Sequence, residues 1–249
     1  PPQNGASPLP GSVQPQTETL IQGLVAVPGD PGLLQLLGNQ LEASGDWPTL
    51  RRVFLQQLAH VPKGSDLEAY VAYLSAKACH ELGESREALS LAGRAVQLNP
   101  GFAYAHHLHG HCLARAGRRS EAIAAQHRCA ELAPAFPWCW FEIGRLHEAQ
   151  GERVAAARSF REALERQRVS DPDHLRPIEV ALADVEQALL RHEDEEAWRS
   201  LWPDRPMPPA HEQLPPPDRL ALAVARFRDR KSTRLNSRHE WISRMPSSA

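Results

Sequence analysis

Small and apolar residues along this chain return at a spacing of thirty-four positions. Gly83, Gly117 and Gly151 fall in register, as do Ala88, Ala122 and Ala156, and Ala76, Gly110 and Gly144. Ala95, Cys129 and Ala163 continue the lattice, Pro100 and Pro134 close it, and with a four-residue insertion it runs back to Gly38, Gly45, Leu50 and Pro62. A period of this length belongs to chains built from stacked supersecondary units. It divides the sequence into units at 31–64, 69–102, 103–136 and 137–170. Apolar positions inside them keep helical spacing and do not alternate, which predicts helices and essentially no sheet.

Each column has a physical role. The small residue of the first helix of each unit (Gly38, Ala76, Gly110, Gly144) stands about twelve positions before an alanine-type residue of the second. Small side chains facing one another let antiparallel helices approach closely. The glycine between the helices suits the left-handed conformation that ends the first one. Asp46, Glu84, Arg118 and Glu152 follow it and open the second helix, and the closing proline cannot continue that helix.

Taken together these columns resemble tetratricopeptide repeats. The clearest stretch, WCWFEIGRLHEAQGERVAAARSFREAL, puts Trp140, Gly144, Gly151, Ala156, Phe160 and Ala163 on the family's signature positions. The third unit departs from the pattern with His106, His109 and Gln126, and the first with Leu50 and Gln57; the fourth ends at Arg168 without proline. The resemblance covers about 140 of the 249 residues. It implies an all-α fold, a right-handed α-solenoid of stacked helix-turn-helix hairpins.

The flanks differ in character. Residues 1–16 are a Pro/Gln/Gly/Ser mixture with too little apolar surface to fold, and 17–28 reads as the second half of an upstream repeat. Leu175, Ile178, Leu182, Val185 and Leu189 form one apolar stripe, predicting a capping helix within 173–200 that covers the last repeat. A proline-rich linker follows at 201–217, then the start of a truncated segment at 218–230. Residues 231–249 resemble the non-native tail found on unrelated metagenomic translations, so the chain is read as a bacterial fragment.

Composition narrows the function classes. Hydrophobic residues make up 42% and charged ones 23%, with no apolar run of membrane-spanning length, so a soluble cytoplasmic protein is expected. A net charge of -2 supplies no field for nucleic acid or an anionic membrane. Cys79, Cys112, Cys129 and Cys139 show no CxxC or metal-finger spacing and read as buried apolar residues of a reducing compartment. Catalytic signatures such as GxSxG, GxxxxGK[ST] and HExxH are absent, so no enzyme activity is expected of these residues.

The resemblance also implies where a partner would sit. First helices of such repeats line a groove, and carrying its positions over selects Gln35, Asn39 and Glu42; Tyr70, Tyr73, Lys77, His80 and Glu81; Tyr104, His107, His111 and Arg115; and Trp138, Phe141, Arg145 and Glu148. Aromatic and long basic side chains are what peptide-binding hot spots favour. The expected role is therefore a scaffold binding a protein or peptide, the alternative being an accessory region of a larger enzyme such as a glycosyltransferase, sulfotransferase or oxygenase. Asn39, Lys77 and Arg145 have the chemistry of a carboxylate clamp, but Gln35, His107 and His111 stand where relatives with a clamp carry cations. In HHLHGH, His107 and His111 share a helical face as two zinc ligands can, with only His80 or Glu148 as a third. The reading is of histidines lining a polar groove, with no metal and no cofactor.

Overall fold

The structure is a computed structural model that describes residues 15–170, 176–191, 194–204 and 206–207. Among them are eleven helices and no strand: α1 (Pro15–Ala26), α2 (Pro31–Ser44), α3 (Trp47–Gln57), α4 (Asp66–Glu81), α5 (Ser85–Leu98), α6 (Ala103–Arg115), α7 (Arg119–Leu132), α8 (Trp138–Glu148), α9 (Arg153–Ser170), α10 (Arg176–Arg191) and α11 (Glu195–Leu201). Pairs α2/α3, α4/α5, α6/α7 and α8/α9 pack as hairpins, the all-α architecture that the thirty-four-residue period predicts. The chain separates into two compact units at Leu98/Asn99. Residues 1–14 of the predicted N-terminal segment, most of the proline-rich linker and everything after it lie outside the described residues, while residues 15 and 16 open α1.

Local chemistry sets each hairpin. Gly45, Gly83, Gly117 and Gly151 have φ of 71°, 83°, 78° and 77°, the left-handed region that ends a helix with little strain only when no Cβ is present. Each second helix begins two residues later, so Asp46, Glu84, Arg118 and Glu152 stand at its N-cap. Asp30, Asp46 and Ser65 accept the backbone N–H three residues on, satisfying donors that a helix start leaves orphaned. Gln57, an exception to the repeat pattern, is buried and accepts the Gly29 N–H at 2.7 Å, tying α3 to the turn before α2. Arg51 of α3 bridges to Glu84 at 2.5 Å and Glu87 at 3.1 Å, next to and within α5.

Close approach is organised differently from the expectation. In the third and fourth repeats the side chain nearest the small residue lies sixteen positions on, whereas over Gly38 the nearest atoms come from α4. A Cβ on Gly144 would stand 2.4 Å from the ring of Phe160, and one on Gly110 would stand 2.6 Å from Gln126 Nε2. A Cβ on Gly38 would meet Leu74 at 2.6 Å, the Tyr70 hydroxyl at 2.9 Å and Phe54 at 3.3 Å. In the second repeat the same two columns hold Ala76 and Ala92, both fully buried. A large side chain thus stands over each of these glycines, so the filled volume is shared across the crossing. Ala88, Ala122 and Ala156 are fully buried.

At the C-terminal end of the described residues the single expected capping helix is two. α10 buries Ile178, Val185 and Leu189 against Phe160 and Ala163 of α9, and α11 folds back to bury Ala197, Trp198 and Leu201 in the same cluster. Asp194 caps α11 by accepting the Ala197 N–H at 3.0 Å, and this new helix start is what splits the stretch.

Glu68 is the most buried carboxylate among the described residues of unit 1. It accepts the Gly64 N–H at 2.6 Å, pairs with Arg94 and lies 3.5 Å from Lys63, while Ser65 caps the Glu68 N–H. The Gly64 hydrogen bond, then the Arg94 contact, hold its carboxyl below the ordinary value of 4.5 against the opposing effect of burial.

This packing can be tested at a crossing and at a buried charge. Gly144→Ala is expected to destabilise unit 2, because overpacking against Phe160 costs about 1–3 kcal/mol against a helix-propensity gain of about 0.5–1 kcal/mol. In urea denaturation, Gly144→Ala/Phe160→Leu should lose less than the sum of the two single changes. For Glu68 the folded-state pKa lies below the unfolded one, so its contribution is complete above about pH 4.5 and disappears as pH falls through the folded value. Glu68→Gln should cost about 1–3 kcal/mol at neutral pH, and its unfolding midpoint should converge on the wild type on acidification.

Candidate interaction surface

In unit 1 the expected positions come from α2 and α4. Tyr70 and Tyr73 are only 4% and 8% exposed, and Tyr70 is part of what fills the space above Gly38. Both rings therefore pack the hairpins. Lys77 donates to Glu42 at 2.5 Å and its ammonium lies 6.0 Å from the Trp47 ring, so its charge is engaged within the fold. Burial works against its ammonium, yet the acidic groups around it, Tyr73 and Glu42 first, keep its pKa above the ordinary lysine value. Asn39 and His80 are half-buried. A carboxylate clamp resting on a free Lys77 is not what this unit presents.

Unit 2 is arranged otherwise. On α6, Tyr104, His107 and His111 follow one another at helical spacing and are half-buried, with Arg115 exposed beyond them. On α8, Trp138 and Phe141 are half-buried, while Arg145 and Glu148 are exposed. The rings meet edge to face: Tyr104 with Phe136 at 5.1 Å, His107 with Phe136 at 5.1 Å, and His107 with His111 at 4.5 Å. Trp138 meets Phe141 at 5.5 Å, and Phe141 leans on Phe160 at 5.7 Å. Between the two helices Glu142 stands 3.9 Å from His111 Nδ1 and 3.6 Å from Arg145.

The hydrogen bonds fix how the imidazoles are oriented. Gln126 Nε2 donates to the His107 carbonyl at 3.1 Å, which turns its Oε1 toward the His107 ring. That oxygen can only accept, so His107 Nδ1–H donates to it at 2.8 Å and the lone pair sits on Nε2. With both rings neutral, His111 Nε2–H then donates to His107 Nε2 at 3.2 Å. His106 turns the other way, its Nε2–H donating to Pro100 O at 3.0 Å; burial first of all holds the His106 and His109 pKa values below the ordinary value.

Phe136 and Glu142 complete this surface and Gln126 lies buried beneath it; the repeat positions did not select them. Gln126 was visible only as a departure from the aromatic column, and Phe136 lies in the turn before α8, outside any helix-face rule.

The cysteines divide into two pairs, which corrects the expectation of four apolar thiols. Cys79 and Cys112 are buried, and burial pushes their thiols up to about 12 and about 11. Cys129 and Cys139 are joined as a disulfide, their Cα atoms 6.3 Å apart. The α7–α8 turn folds the chain back on itself, so residues ten apart in sequence become neighbours.

No protein-family profile matches the chain, and no curated protein matches it in sequence. Solved structures do. MamA superposes with a TM-score of 0.53 at 23% identity, covering 62% of this chain and 88% of MamA. MamA of Desulfovibrio magneticus RS-1 gives 0.53 at 21% identity, over 62% and 85% of the two chains. TTC0263, a thermophilic TPR protein of Thermus thermophilus, gives 0.52 at 21% identity, over 68% and 88%. The likeness is one of fold: these helices pack as tetratricopeptide-repeat proteins do. No helix among the described residues is long and apolar enough to cross a membrane.

Proposed function

We propose that this chain, with its tetratricopeptide-repeat fold, is a protein-interaction scaffold and that the α6–α8 surface of unit 2 holds a peptide or partner segment. The observation that carries the reading is the row of half-buried rings, Tyr104, His107, His111, Trp138 and Phe141, edged by Glu142, Arg145 and Glu148. Rings of this kind bury large areas with few torsions to freeze, and charges at the rim direct hydrogen bonds to a peptide backbone or side chain. In unit 1, taken by itself, the tyrosines pack inward, Lys77 is paired, and Asn39 and His80 are half-buried.

The role is non-catalytic. It is the same whether the chain works alone or as the accessory region of a protein that also carries a catalytic domain. A net charge of -2 and a surface of mixed sign fit a protein ligand better than a nucleic acid.

The test is selection of a random peptide library on the full chain, followed by fluorescence anisotropy of a selected peptide. Arg145→Ala and Phe141→Ala should each weaken binding about tenfold or more, the loss typical of a hot-spot truncation, whereas Arg86→Ala in unit 1 should leave it unchanged. Unaltered affinity in a fully helical Arg145→Ala chain would sink the proposal. Failure to select any peptide would remove short linear ligands from it.

A further inference from the structure

Beyond partner binding, we infer that unit 2 contains a site for a zinc-like divalent ion, formed by Cys129, Cys139 and His107 when the two cysteines are reduced. One donor atom from each of the three side chains lies within 4.8 Å of the others. Three helices bring them together: Cys129 from the last turn of α7, Cys139 from the first turn of α8 and His107 from the middle of α6. Two thiolates and an imidazole are the ligand set that selects a soft or borderline tetrahedral ion, and three protein ligands leave a fourth position for water.

The surroundings fit a ligand set. Gln126 accepts the His107 Nδ1–H at 2.8 Å and is itself held by the His107 carbonyl, the outer hydrogen bond that orients a metal-binding imidazole, and the ion takes the Nε2 lone pair in place of the His111 Nε2–H. Cys129 and Cys139 are fully buried, whereas His107 and His111 are half-buried and give an ion a way in. The other group with metal-like spacing, Cys79 with Glu84 and Glu87, already has the Arg51 guanidinium between its carboxylates, at 2.5 Å and 3.1 Å, which supplies the positive charge an ion would bring.

The disulfide and the ion compete for the same two sulfurs. Two molecules of a low-molecular-weight thiol reduce Cys129–Cys139 to two thiols and leave as their own disulfide; the divalent ion then displaces both thiol protons and binds the thiolates. In a reducing compartment the pair stands ready for metal, and oxidation closes the site.

Cobalt(II) is the probe, because its thiolate complexes absorb where the free ion does not. The reduced full chain should take up one equivalent with thiolate-to-cobalt charge-transfer absorption, which added zinc should bleach. Cys129→Ser and Cys139→Ser should abolish that band, while Cys79→Ser and Cys112→Ser should keep it. His107→Gln should weaken cobalt binding by at least about tenfold. The inference is overturned if the reduced wild type shows no such band, if the band survives in Cys129→Ser, or if His107→Gln binds with wild-type affinity. Circular dichroism of each variant separates lost ligation from lost folding.

Discussion

The close crossing of paired helices is the constraint on which the rest of this structure depends. Small residues sit at these crossings and larger side chains fill the space above them: Phe160 over Gly144, Gln126 over Gly110, and Leu74 and Tyr70 over Gly38. Interiors tolerate neither voids nor overlap, so total volume at the crossing is conserved while its division between the helices changes. The repeats therefore diverge in sequence without diverging in geometry.

That freedom is what unit 2 uses. At the position where the fourth repeat has a phenylalanine, the third has Gln126, which fills the same space above Gly110 and also brings an amide to His107. A packing position has become a polar one that orients an imidazole. His107 then links Phe136, His111 and the buried cysteines of the α7–α8 turn, so the chemistry of this surface grows out of a substitution in the packing lattice. In unit 1 the equivalent face is closed by Tyr70, Tyr73 and the Glu42–Lys77 pair.

The fold was legible in the sequence because its determinants are local and repeated. Glycine at each inter-helix turn, polar N-caps and helical spacing of apolar residues each act within a few residues of themselves, and the thirty-four-residue period repeats the signal. The candidate surface was legible only in part. Transferring groove positions by register selected Tyr70 and Tyr73 beside His107 and Arg145, since register says which way a helix face points but not what lies above it. Phe136 and Glu142 escaped because turn residues and interstitial carboxylates follow no column, and Asp194 escaped as a cap because its helix is only seven residues long.

By itself, then, the sequence determined an all-helical hairpin repeat, the ends of its helices and the small residues at their crossings, because these follow from backbone preference and periodic burial. Only the tertiary structure decided that Cys129 meets Cys139 and His107, that Glu68 sits between Gly64 and Arg94, and that two tyrosines face inward while two histidines remain half-open. Contacts of that kind depend on the depth and rotation of one helix against another. Those quantities are set by the summed volumes of many side chains, and no single position in the repeat encodes them.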